Sequence, residues 1–193
     1  MRRLLLVRHA PTSATRDAVF PGDEPLDECA VRQAGELAAM LPAPCQALSS
    51  PARRCLQTAT AAGLQAQVDP ALAECDFGSW SGRSLAAVHG AEPHATREWM
   101  SDPLARPHGG ESLTMFAARV NCWLDAQAPQ EGCAVAITHA GVVKSALVHA
   151  LGAPIEAFWQ IEVSPLGITE LHAHDGRWTL TRVNCAGHGG RAL

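Results

Sequence analysis

Apolar and polar positions along the chain alternate between two rhythms. Leu4-Leu5-Leu6-Val7 and Cys133-Ala134-Val135-Ala136-Ile137-Thr138 are unbroken apolar runs, the pattern of strands covered on both faces. The first predicts a strand over roughly 3 to 8, and the second a buried strand ending at His139. Ala47-Leu48-Ser49 and a stretch near Gln65 to Val68 read as shorter strands. Between them the apolar spacing lengthens to that of a helix. Ala30, Ala34, Leu37, Ala38 and Leu41 predict a helix from about Glu28 to Met40. Leu113, Phe116, Ala117, Val120 and Leu124 predict another from Glu111 or Ser112 to about Ala126, and a third follows from about Gly141 to Leu151. Ser50-Pro51 reads as N-cap and first residue of a helix to about Ala62, closed by Gly63. Strand followed by helix, repeated, predicts an α/β class with parallel central strands. Two strands around Asp175-Gly176, Gly167 to Ala173 and Trp178 to Val183, predict an antiparallel hairpin at the edge.

The stretch from Arg83 to His108, broken by Pro93, Pro103 and Pro107, predicts short helices that cover a site and select its ligand. With 193 residues, no internal repeat and no linker, the chain reads as one domain, 1–193, with a frayed tail over about 187–193. Apolar residues are 47%, charged residues 18%, and the net charge is −4 with no basic block. That balance argues against a nucleic-acid surface, so an anionic ligand requires a local cationic pocket. Seven cysteines without a Cys-x-x-Cys pair predict reduced, mostly buried thiols and a cytoplasmic protein. Arg8-His9 closes the first apolar run too soon for a signal peptide, and no run is long enough to span a bilayer. The oligomeric state is open between monomer and homodimer.

Both long buried strands end in histidine, His9 and His139, and Arg8 precedes the first. If the strands are parallel and central, the two imidazoles emerge at the carboxyl edge of the sheet, where open α/β sheets bind ligands. The helix opening at Ala140-Gly141-Val142 presents free N–H groups to an anion there. Arg53 and Arg54 lie in the first turn of the helix after Ser50-Pro51, where a cation opposes the helix dipole, so something anionic is expected to face them. Arg8 with one of these two arginines makes a plausible clamp for phosphate. The bland readings are ion pairs of Arg8 and Arg54 with Asp76, Glu74 or Glu111, a rim position for Arg53, a helix-start carboxylate at Glu111, and packing for Trp80 and Trp99.

Five ordered segments carry a resemblance. Leu6-Val7-Arg8-His9-Ala10, Ser49-Ser50-Pro51-Ala52-Arg53-Arg54-Cys55-Leu56-Gln57-Thr58-Ala59, Leu72-Ala73-Glu74-Cys75-Asp76-Phe77-Gly78-Ser79-Trp80-Ser81-Gly82, Gly110-Glu111-Ser112 and Thr138-His139-Ala140-Gly141 together resemble the histidine phosphatase superfamily in its phosphoglycerate-mutase-like branch. The resemblance implies a three-layer α-β-α sandwich around a mostly parallel sheet with an antiparallel edge. It implies that His9 attacks phosphorus, that Arg8 and Arg54 rather than Arg53 bind the phosphoryl group, that His139 hydrogen-bonds it, and that Glu74 is the proton donor. Thr15 stands where many relatives have an asparagine that contacts phosphate or substrate, and Ala140 and His108 join the expected substrate contacts. Arg8-His9-Ala10-Pro11-Thr12 replaces the frequent Arg-His-Gly-Glu-Thr, and Trp80-Ser81-Gly82 the usual Trp-Glu-Gly, which bears on substrate rather than on reaction type.

The implied reaction is metal-independent hydrolysis of a small phosphomonoester through a phosphohistidine, with no cofactor. Glu74 needs a raised pKa to act as acid, which burial beside Phe77 and Trp80 supplies, and His139 is expected as a cation. The partner is a small phosphorylated metabolite. Arg8-His9-Ala10-Pro11 followed by Gly22-Asp23-Glu24-Pro25-Leu26 looks like the alpha-ribazole phosphatase group. Alternatives are a cofactor-dependent mutase, disfavoured by the short interval from Glu74 to His139, a phosphoprotein phosphatase, disfavoured by an enclosing cover, and a non-catalytic phospho-ligand module.

Overall fold

The apolar run at the N-terminus forms β1 (Arg2–Arg8), and its side chains divide between two cores, Leu4 and Leu6 in one, Leu5 and Val7 in the other. Successive strand residues point to opposite faces, so a strand needs an apolar residue at every position only when both faces are covered. The structure, a computed structural model, describes residues 1–43 and 45–185. After β1 come the single-turn helix α1 (Ser13–Arg16), α2 (Glu28–Gly35), β2 (Gln46–Ser49), α3 (Arg53–Ala61) and β3 (Gln67–Val68). The cover holds α4 (Leu85–Ala91) and α5 (Pro93–Ser101), followed by α6 (Leu113–Gln127), β4 (Gly132–Thr138), α7 (Ala140–Ala150), β5 (Ile168–His174) and β6 (Arg177–Cys185).

The six strands make one sheet in the order β3-β2-β4-β1-β5-β6. Strands β3, β2, β4 and β1 run parallel, and β5 is antiparallel to both its neighbours, which is the mostly parallel sheet with an antiparallel edge that the sequence predicts. Helices α6 and α7 pack on the face bearing Leu4, Leu6, Ala134 and Ala136; α3 packs on the face bearing Leu5, Val7, Val135 and Ile137. Arg8 pairs with Thr138 across β1 and β4, so His9 and His139 leave the sheet side by side, and the His9 N–H donates to the Thr138 carbonyl at 2.8 Å. Ser50, just past β2, donates its N–H to the Ile137 carbonyl at 2.9 Å and joins them at the same edge.

Three local expectations are corrected. Ser50-Pro51 does not open the helix: α3 starts at Arg53 with Ala52 as its N-cap, and the Ser50 hydroxyl turns instead to the buried ring of His139. The helix expected to reach Met40 is α-helical only to Gly35, continues as a 3-10 turn over Glu36–Ala39, and leaves Ala38 exposed. The cysteines are not all reduced and buried, because Cys45 and Cys133 form a disulfide, and Cys29, Cys122 and Cys185 are exposed. Gln46 pairs with Ala134 in the β2–β4 ladder, so residues 45 and 133 come opposite each other, a juxtaposition set by strand register across 88 positions and by no sequence motif. The disulfide removes one support for a cytoplasmic location. Among the described residues no helix is long and apolar enough to cross a membrane. The expected frayed tail, 187–193, lies outside the described residues.

The segment carrying Glu74 is tied down by one side chain of α6. Arg119 donates to the carbonyls of Ala71 at 2.9 Å, Ala73 at 3.0 Å and Glu74 at 3.3 Å, and pairs with the Glu111 carboxylate at 2.7 Å. Next to it, Gly110 approaches so closely that a Cβ there would strike the Asp76 carbonyl, while the Glu111 N–H donates to that same carbonyl at 2.9 Å. Gly110→Ala is expected to cost about 1–3 kcal/mol by overpacking, read as a lower urea midpoint at unchanged slope; a midpoint equal to that of the wild type would contradict the contact.

Candidate active site

Two imidazoles and one guanidinium meet at the carboxyl edge of β1 and β4. Arg54 Nε donates to His9 Nε2 at 3.2 Å, and Arg54 Nη2 donates to His139 Nδ1 at 3.2 Å. A guanidinium only donates, so both of these ring nitrogens carry lone pairs. The proton of His9 is therefore on Nδ1, which donates to the Ala10 carbonyl at 2.7 Å, and that of His139 is on Nε2, shared with Ser50 Oγ at 2.7 Å. The rings lie 5.2 Å apart at 67°. Burial, together with the charges of Arg54 and Arg8, brings His9 down to about 3. Burial and the same cations hold His139 well below the ordinary imidazole range. With Arg54 donating to both rings, His9 and His139 are neutral in this arrangement, while the cationic His139 expected from the sequence belongs to a bound phosphoryl group.

Helix α3 places this guanidinium. With the helix opening at Arg53, Arg54 turns inward and is 3% exposed, while Arg53 faces solvent. The anion expected opposite this helix start is supplied by the 22–24 loop: Asp23 accepts from the Arg53 N–H at 2.8 Å, Glu24 lies 3.5 Å from Arg54 Nη1, and the Gly22 carbonyl accepts from Arg54 at 2.8 Å. Gln57 and Thr58, one turn on, accept from the N–H groups of Leu26 and Ala10. Arg8 donates to the Val163 carbonyl at 2.6 Å, while its buried Nε has no acceptor among the described residues.

A cavity of about 280 Å³ opens in front of this cluster, and Arg8, His9, Thr15, Arg54, Glu74 and Ala140 are among its walls. His139 is fully buried and stands behind Arg54. Glu74 accepts from the Cys75 N–H at 3.0 Å and the Gly141 N–H at 3.3 Å, so one free donor of the first turn of α7 meets this carboxylate rather than lying open to an anion. Burial raises Glu74 above the usual carboxylate range against the pull of those donors and of Arg54 and Arg8. Glu74 also borders a second, smaller cavity of about 140 Å³, and Phe77, Trp99 and Ala140 are common to both.

Not every expected contact is brought in. His108 is 2% exposed, accepts from the Gly110 N–H at 3.0 Å and packs edge-on against Trp80 and Phe77 outside the cavity walls. Trp80 is wholly buried and bonds Glu92, and Phe77 and Trp99, not Trp80, line the cavities that Glu74 borders. Thr15 lines the cavity while its hydroxyl completes a reciprocal cap with Thr12 at the start of α1. Sequence reasoning missed Ser50, Glu24 and Arg119; Ser50 carried a signal, but as a helix cap.

The buried neutral histidines have a measurable consequence. In the unfolded chain His9 has its ordinary value of about 6.5, and in the fold it is at about 3. The unfolded chain therefore binds more protons below pH 6.5, and stability falls as pH drops through this window toward the folded value. Urea unfolding between pH 7 and 4 is expected to show a shallower loss for His9→Gln than for the wild type, and equal slopes would contradict the burial of a neutral ring.

Comparison with known proteins accords with this geometry. Residues 4–186 match the profile of the family described as histidine phosphatase superfamily (branch 1). A protein of Hydrogenobacter thermophilus bearing the provisional name phosphoserine phosphatase 2 is 30% identical over 194 residues, 95% of this chain and 96% of that one. A bifunctional protein of Mycobacterium tuberculosis is 32% identical over 96% of this chain, which spans only 54% of that protein. The adenosylcobalamin/alpha-ribazole phosphatase of Escherichia coli is 27% identical, covering 83% of this chain and 85% of its own. Among solved structures, the mycobacterial glucosyl-3-phosphoglycerate phosphatase in complex with VO3 has a TM-score of 0.84 at 28% identity, covering 96% of this chain and 100% of that one. With its paired histidines, inward arginine and buried carboxylate at one sheet edge, the chain belongs to branch 1 of the histidine phosphatase superfamily and is one of its phosphatases.

Proposed function

We propose that a single domain of residues 1–193 hydrolyses a small phosphomonoester in two displacements, with His9 as nucleophile and Glu74 as the proton carrier. The observation that carries this reading is the state of His9: its Nδ1 proton is held by the Ala10 carbonyl, and its Nε2 lone pair faces Arg54 beside the cavity. Phosphoryl oxygens take over the Arg54 donors now resting on the two imidazoles, which frees His9 Nε2. That nitrogen attacks phosphorus, the P–O ester bond breaks, and Glu74 gives its proton to the departing alkoxide. Water then attacks the phosphohistidine, loses a proton to Glu74, and the P–N bond breaks to release phosphate and neutral His9.

Arg8 and Arg54 spread positive charge over the phosphoryl oxygens, and the unpartnered Arg8 Nε is one donor for them. A bound dianion offsets the cations that keep His139 neutral, so His139 gains a proton on Nδ1 and donates to the phosphoryl group while Ser50 holds its Nε2–H. Thr15 and Ala140 flank the ligand from the cavity wall. A small substrate is favoured over a phosphoprotein because the cover reaches in, with Leu85 and Trp99 lining the cavity. The finer expectation of an alpha-ribazole-type ester rests on the Arg8-His9-Ala10-Pro11 and Gly22 to Leu26 segments.

Rapid quench with a ³²P-labelled ester is expected to trap an acid-labile label on the wild type and none on His9→Ala; a label that survives the substitution removes His9 as nucleophile. Because Glu74 must be protonated and its pKa is raised, kcat/KM is expected to fall with rising pH above the ordinary carboxylate range. Glu74→Gln is expected to lose that limb and about 10²–10⁴ in rate. A Cβ at Gly141 would meet the Glu74 carboxylate. Gly141→Ala is therefore expected to lower kcat/KM by about 10² through misplacement, while the helix preference of alanine, about 1 kcal/mol, offsets part of the overpacking; unchanged turnover would show that the carboxylate position is not critical.

A further inference from the structure

We propose that the smaller cavity beside Glu74 seats a single aromatic ring, or an equally flat apolar one, carried by the alcohol half of the substrate. The proposal rests on the reading of the larger cavity as the phosphoryl site. Glu74 borders both spaces, so a group attached a few bonds from the ester oxygen it protonates falls within reach of the smaller one. Beyond Glu74 its walls are Leu113 and Phe116 of α6, Lys144 of α7, and Phe158 and Trp159 of the 3-10 segment Ile155–Gln160.

Three features select the guest. The volume, about 140 Å³, is close to the ~150 Å³ apolar cavity that admits benzene, so one ring fits. The wall rings meet one another edge to face, Phe158 against Trp159 at 5.2 Å and 84°, and Trp99 against Trp159 at 5.0 Å and 78°. A guest ring extends that geometry, which is the arrangement aromatic pairs prefer. Lys144 is the one cation in the wall, and its ammonium lies 5.3 Å over the Phe158 ring. The rest of that wall, Leu113, Phe116, Phe158 and Trp159, is apolar or aromatic, which favours an uncharged flat group, and the Lys144 charge repels a cationic one. Trp159 remains 36% exposed, as a wall waiting for a partner would.

The test compares 3-phenylpropyl phosphate with propyl phosphate, two esters of the same primary alkoxide type that differ by the ring. Wild-type kcat/KM is expected to favour the ring by about 10-fold or more, and the ratio is expected to fall toward unity in Trp159→Ala. Reading the ratio within each variant cancels any loss of folded protein. A wild-type ratio near one, or a ratio kept in Trp159→Ala, overturns the proposal. Calorimetry with 3-phenylpropylphosphonate and propylphosphonate separates it from the hydrolase reading. If neither ester releases phosphate, neither is a substrate, and the phosphonates decide the ring seat alone: tighter binding of the phenyl compound supports it and equal Kd overturns it.

Discussion

The Arg54 guanidinium, set between two imidazole lone pairs, is the contact on which the site depends. Each of its two N–H···N bonds is 3.2 Å long, and the three side chains are 5% exposed or less. A second positive charge at that separation, away from water, is strongly unfavourable, so the arginine obliges both histidines to stay neutral. The surrounding hydrogen bonds then leave each ring one tautomer: the Ala10 carbonyl takes the His9 proton and the Ser50 hydroxyl takes that of His139. In this way a buried cation that resembles a structural ion-pair partner fixes an imidazole lone pair beside the cavity.

Glu74 is displaced in the opposite sense. Burial disfavours its charged form, whereas burial of the histidines disfavours theirs, so the same cavity pushes the carboxyl pKa up and the imidazole pKa down. The two are supported by different parts of the fold. His9 and His139 depend on the β1–β4 register, while Glu74 depends on Arg119 of α6, the close approach of Gly110 to Asp76, and the missing side chain of Gly141. Displacement of either support changes the separation of Glu74 and His9 without touching what holds the other.

Much of the framework was legible because burial on both faces leaves no polar position in a strand, which exposes β1 and β4 directly in the sequence. The distinction between Arg53 and Arg54 was not legible from periodicity; it follows from a helix that begins two residues later than the Ser50-Pro51 pair suggests, so that the second arginine turns inward. His108 and Trp80 carry the residue types of a substrate site, yet they pack on each other in the aromatic cluster under the cover, because a loop's path is set by long-range contacts such as Gly78 against the His108 carbonyl. The Cys45–Cys133 bridge was hidden for the same reason.

By itself the sequence determined the fold class, the strand-end placement of the two histidines, and the set of residue types that phosphoryl chemistry requires, since local periodicity reports which positions are buried and where elements stop. Only the tertiary structure decided which nitrogen holds each proton, which aromatics stand beside Glu74, and that a second cavity opens there. Those properties arise where segments distant in sequence come within a few ångströms, Arg54 on His139 and Glu74 on Gly141, and such distances are set by packing rather than by any local pattern.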